Sequence, residues 1–147
     1  MSSIDRLAVE LSSPVALLGV SGWSVDRLRA LLPRAELRAW RIVDSDAPGL
    51  WHGRCPLGSG QTLLAWPRPP VGRPEPGAFV VARSLPVGPE RCVLLGRPFV
   101  VPPARAPMFD RLLRSLRAPR GEFWRVHGAV IARAARSGAA TVVPRAA

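Results

Sequence analysis

The stretch Ala78-Phe79-Val80-Val81-Ala82-Arg83-Ser84-Leu85-Pro86-Val87-Gly88-Pro89-Glu90-Arg91-Cys92-Val93-Leu94 decides how this chain is read. An apolar segment enters a Pro-x-Gly turn at residues 86–88 and a second apolar segment leaves it, which predicts a β-hairpin. An earlier stretch, Cys55-Pro56-Leu57-Gly58-Ser59-Gly60-Gln61-Thr62-Leu63-Leu64, repeats that pattern and predicts a second hairpin. Two ordinary hairpins of one antiparallel sheet explain the echo more simply than a duplicated unit. Between them, half of Pro67–Pro76 is proline. Such a segment is an extended surface connection, not a linker between domains, because neither side looks self-sufficient.

Upstream of the hairpins, Ile4, Leu7, Ala8 and Leu11 recur at helical spacing, and Pro14 is expected to stop that helix. The run Val15–Val20 suits a buried strand or part of a helix equally well, and Ser21-Gly22 breaks it. Ser24 is placed to cap a helix over Val25–Leu32, with Asp26 in the first turn where the helix dipole favours an acid. Pro33 ends that helix, and Glu36–Val43 reads as a strand. Downstream, Met108, Phe109, Leu112, Leu113 and Leu116 form an apolar helical stripe opposite Arg111, Arg114 and Arg117. Ala118-Pro119-Arg120-Gly121 interrupts, Glu122–Arg136 gives a second helical pattern, and Thr141-Val142-Val143 suits a last short strand. Helices flanking an antiparallel sheet make a single α+β domain over residues 1–147.

Composition bounds the rest. With 147 residues and 48% apolar content the chain can bury a core, which excludes a wholly disordered basic tail. All 21 basic residues are arginine, against ten acids, for a net charge of +11. Lys, Asn and Tyr are absent, a codon signature of a GC-rich coding sequence, so much of the arginine excess need not be functional. The shortage of acids is not explained that way. No apolar run is long enough to span a bilayer, the N-terminus has no signal-peptide pattern, and two cysteines make no disulfide framework. A cytoplasmic protein is the default expectation.

Strand alternation places Phe79, Val81, Arg83 and Leu85 on one face. An arginine on an apolar face is costly to bury unless an anion pairs with it. Arg83 is therefore a candidate carboxylate- or phosphate-binding residue, with a salt bridge to one of the acids or a place at the sheet margin as the structural alternative.

From Arg83 the chain runs through Pro86-Val87-Gly88-Pro89-Glu90-Arg91 to Gly96-Arg97-Pro98-Phe99-Val100-Val101-Pro102. This resembles the central hairpin of chorismate pyruvate-lyases, where an arginine-bearing strand turns and returns to a Gly-Arg-x-x-Val-Pro-like ending. A helix, Met108–Leu116, then leads to Ala118-Pro119-Arg120-Gly121 and Phe123-Trp124, similar to the family's Thr-Pro-Leu-Gly turn before an aromatic pair. Upstream, Ser24-Val25-Asp26-Arg27-Leu28 resembles the helix preceding the family's first strand.

The resemblance implies elimination of pyruvate from chorismate to give 4-hydroxybenzoate for quinone synthesis, with no metal or organic cofactor. It implies a small anionic substrate whose carboxylate pairs with Arg83 as the catalytic residue. Arg120 would contact the ligand through its backbone, and Val25 would line the pocket where the family has Met. The chain departs from the family at its end. Where the family's last strand supplies a Glu, this sequence has Thr141-Val142-Val143-Pro144, and no acid follows Glu122. A non-catalytic domain binding a small aromatic carboxylate is the sister expectation.

Other constellations are weaker. His52, Cys55, Cys92 and His127 are all the His and Cys residues, but only His52 and Cys55 have half-site spacing, so buried thiols and ordinary histidines outweigh a zinc site. Gly19-Val20-Ser21-Gly22-Trp23 lacks the last glycine of a hydrolase elbow. The competing function is nucleic-acid or protein binding by an arginine-rich surface. Residues 1–60 are net +1 and residues 61–147 net +10, with Arg111, Arg114, Arg117, Arg120, Arg125, Arg133 and Arg136 on the C-terminal helices. A solvated face outweighs it, since no nucleic-acid motif is present and stacking aromatics are few.

Overall fold

Five strands account for both hairpins, and they close on themselves. In the computed structural model, which describes residues 2–58, 60–68 and 74–146 (of Asp46 and 138–146 the backbone only), β1 is Glu36–Ala47, β2 Leu50–Arg54, β3 Gln61–Ala65, β4 Phe79–Gly88 and β5 Arg91–Val101. The order around the sheet is β1-β2-β3-β5-β4, with β4 pairing back onto β1 to complete a barrel. Four of the pairings are antiparallel, and β3 with β5 is parallel. Helices lie outside: α1 is Ser3–Leu17, α2 Val25–Leu31, α3 Ala106–Ser115 and α4 Phe123–Ala146. The molecule is a single mixed α+β domain, as its sequence predicts.

The two expected hairpins are β2–β3 and β4–β5. The second turns later than the Pro-x-Gly signal suggests. Pro86 and Gly88 remain in the strand, and the turn is Pro89-Glu90, with Glu90 at φ +54. A third hairpin, β1–β2, turns at Pro48-Gly49, where Gly49 takes φ +77, and it lengthens the expected strand Glu36–Val43 to Ala47.

Alternation sorts the side chains into an interior and two outer layers. Inside the barrel lie Trp40, Ile42, Trp51, Leu64, Trp66, Val80, Ala82, Cys92 and Leu94. Three tryptophans fill so narrow a barrel that it is a packed core, not a pore. Gly53 is small for that reason, since a Cβ there would stand 2.8 Å from Leu64 Cδ1 and 3.2 Å from Trp40 Cβ. On the outside, α1 and α2 cover Ala65, Leu85, Val87 and Val93 with Leu11, Val15, Leu18 and Leu28. Helices α3 and α4 cover Ala39, Phe79, Val81 and Val101 with Phe109, Leu113, Trp124 and Ile131.

Two expectations about the helices are corrected. Pro14 does not stop α1; it sits buried inside the helix, which runs on to Leu17. Only the last turn follows it, so the lost amide bond is confined to the helix end, and burial of Pro14 and Val15 holds the turn in place. Residues Thr141–Val143 are not a strand but a continuation of α4, because the sheet has closed and offers no free edge. Ser24 caps α2 as expected, its Oγ accepting from Arg27 N at 3.1 Å.

Candidate functional site

Arg83 shares the face of Phe79, Val81 and Leu85, as alternation requires, yet its side chain is exposed. The reason lies in what covers that face. Phe79 and Val81 are buried under α3 and α4, Leu85 and Val87 under α1 and α2, and Arg83 emerges at the seam between the two layers. Opposite it β5 bulges. The chain goes from Leu95 to Phe99 while β4 goes only from Arg83 to Val81, and Gly96 takes φ +70 within the extra length. The supposed burial of an arginine on an apolar face therefore gives way to a solvated one. Val25 is half-buried at the start of α2 against the α1–α2 layer. Arg120 is exposed in the α3–α4 connection, in a turn closed by Glu122 N donating to Pro119 O at 3.0 Å. Val25 thus packs with the α1–α2 layer, Arg83 stands exposed on β4, and Arg120 lies exposed between α3 and α4.

A different set of side chains does come together. Backbone register aligns Gln61, Arg54, Arg41, Phe79 and Val101 across β3, β2, β1, β4 and β5 in one row. Ile42 and Gly53 point inward, so Arg41 and Arg54 point outward, directly opposite each other. Phe79 and Val101 are covered by α3 and α4, whereas Arg41, Arg54 and Gln61 are exposed. The Arg41 guanidinium lies 5.9 Å from the centroid of the Phe79 ring. Among the described residues neither Arg41 nor Arg54 has a carboxylate partner, while Arg29, Arg38, Arg68, Arg114 and Arg125 are paired with Asp26, Glu36, Glu10, Asp110 and Glu122. In the next row His52 approaches Asp44 at 3.9 Å and bounds the basic patch.

Like charges directly opposite in an antiparallel pair repel, at a cost of up to about 1 kcal/mol, unless an anion lies between them. A barrel face with two outward arginines in register and a neighbouring amide can grip successive phosphates or a single divalent oxyanion. Sequence reading missed this pair. The turn dipeptide Pro48-Gly49 was the signal, because it places Arg54 back beside Arg41.

The C-terminal arginines are more occupied than the sequence suggests. Arg117 donates to the carbonyls of Arg114 and Leu116, and Arg136 lies 5.4 Å from the Phe99 ring centroid. His127 meets the Arg117 carbonyl through Nε2 and packs on Phe123. Cys92 is buried inside the barrel, where desolvation pushes its thiol up to about 11, and Cys55 is half-buried. Among the described residues no three His, Cys, Asp or Glu side chains gather as a metal site would need.

The chain matches no family model, no curated protein and no solved structure. No helix among the described residues is long and apolar enough to cross a membrane.

Proposed function

We propose that this protein binds single-stranded nucleic acid through the exposed arginines of the β1–β2 face of its barrel. The observation that carries the reading is the in-register pair Arg41–Arg54, exposed and without a carboxylate among the described residues, in a chain of net charge +11. Phosphate contacts of this kind dominate nucleic-acid affinity, and arginine planes also stack on unpaired bases. Small Greek-key barrels offer strand faces to oligonucleotides in unrelated proteins, which supports the reading by architecture alone. Guanidinium planes stack on unpaired bases, which a duplex keeps in its own stack, so an unpaired strand fits the surface better than a duplex.

Fluorescence anisotropy of a labelled oligouridine tests the reading. The wild type should bind with affinity falling steeply in salt. The double variant Arg41→Ala/Arg54→Ala should lose at least about tenfold, and its log–log salt slope should be shallower by roughly 1.4, two phosphates' worth for a single strand. Arg133→Ala/Arg136→Ala should leave binding within about twofold. Equal binding by the Arg41→Ala/Arg54→Ala variant would sink the proposal. Incubation with chorismate supplies the rival outcome: 4-hydroxybenzoate and pyruvate appearing, and disappearing in Arg83→Ala, would replace this reading with the lyase reaction.

A further inference from the structure

The apolar stripe of α3 is broader than the barrel uses. Phe109 and Leu113 are buried against Phe79 and the rest of the α3–α4 layer, with the Phe79 and Phe109 ring centroids 5.1 Å apart. Met108 and Leu112 form the surplus flank, Met108 being 64% exposed and Leu112 half-buried. Ala134 and Ser137 of α4 and Val101 at the end of β5 complete the lining. The space between is an open crevice of about 300 Å³, at the small end of small-molecule sites. Among the described residues one cation lines it: Arg105, in the single 3₁₀ turn before α3. Arg105 is half-buried and has no carboxylate partner among the described residues.

A concave apolar wall with one unneutralised arginine at its rim selects ligands with two parts. The apolar body is drawn from water by the Met108, Phe109, Leu112 and Val101 surfaces, and the anionic head is drawn to Arg105. A neutral amphiphile leaves the guanidinium without a partner, and a cationic one is repelled. We propose that this crevice binds a compact monocarboxylate with an aliphatic body, of the class of medium-chain fatty acid anions. The site is separate from the Arg41–Arg54 face, so it stands or falls without the nucleic-acid reading.

Ligand-observed NMR with octanoate, 1-octanol and octylammonium as probes tests the proposal on the full chain. Octanoate should bind at least about tenfold more tightly than either of the others. Arg105→Gln should remove that preference, leaving octanoate no tighter than octanol. Met108 is exposed, so replacing it does not threaten folding. Met108→Glu should weaken octanoate at least about fivefold, and Met108→Lys should not weaken it. The Arg41→Ala/Arg54→Ala variant should bind octanoate as the wild type does. Octanol binding as tightly as octanoate, an unchanged octanoate affinity in Arg105→Gln, or equal effects of Met108→Glu and Met108→Lys would each overturn the assignment.

Discussion

Trp40 and Ser84 show how one polar contact is kept inside a barrel filled by indoles. The Trp40 Nε1–H donates to Ser84 Oγ at 2.9 Å, and that hydroxyl donates onward to the Ala82 carbonyl at 3.1 Å. Ser84→Ala therefore strands a buried donor and should cost about 1–3 kcal/mol in urea unfolding. Trp51 and Trp66 are 5% and 4% exposed, and their Nε1–H groups have no acceptor among the described residues. Their replacement by Phe forfeits ring contacts but no hydrogen bond, so Trp66→Phe should cost less than Trp40→Phe in the same assay. Cys92 adds a pH dependence with a definite sign. Its folded value of about 11 lies above the ordinary 9.0 because burial disfavours the thiolate. Below pH 9 the effect on stability is nil, and between pH 9 and about 11 the unfolded thiol ionises first. Stability should fall across that window by roughly 2–3 kcal/mol. Cys92→Ala should flatten the alkaline limb of a stability–pH profile, and an unchanged limb would refute the assignment.

At the scale of elements, the bulge of β5 controls what happens at the seam between the helix layers. Gly96 sits there at φ +70 with open space around it, so the obstacle to a side chain is backbone strain rather than a clash. Gly96→Val should cost about 1–3 kcal/mol, whereas Gly58→Val, at an open position without positive φ, should cost less than about 0.5 kcal/mol in thermal unfolding. The bulge also shows where the sequence stopped being informative. Hairpins β2–β3 and β4–β5, the cap at Ser24 and the stripe of α3 were legible because each is set by neighbours within a few residues. Barrel closure was not, since the β1–β4 and parallel β3–β5 pairings join residues far apart in the chain. Without closure, alternation alone makes Arg83 look buried, because it counts one face as one environment. Two separate helix layers divide that face, and only the tertiary structure reveals the gap between them. The Arg41–Arg54 pair was hidden likewise, behind a β1–β2 turn that sequence reading passed over.

For the whole molecule, the excess of +11 is a charge load that the fold must carry against self-repulsion. Screening should relieve it. Raising NaCl from about 0.01 M to about 0.15 M shortens the Debye length from roughly 30 Å to roughly 8 Å. The melting temperature should rise by a few degrees over that range, about 1 kcal/mol being worth roughly 2–4 °C in a chain of this size. The Arg41–Arg54 pair should contribute disproportionately, because its charges face each other across one strand pair instead of being dispersed over the surface. Arg41→Gln/Arg54→Gln should then melt higher than the wild type at low salt, by roughly 1–3 °C, and show a weaker salt dependence. Adding oligouridine should reverse the order, stabilising the wild type through binding to the folded state alone and leaving the variant little changed. A surface that costs stability when free and recovers it with an anion bound is the signature of a binding face, whereas an inert solvated face shows no such exchange of order. Melting the two proteins with and without the oligonucleotide at both salt concentrations distinguishes these cases, and identical ranking in all four conditions would rule the binding face out.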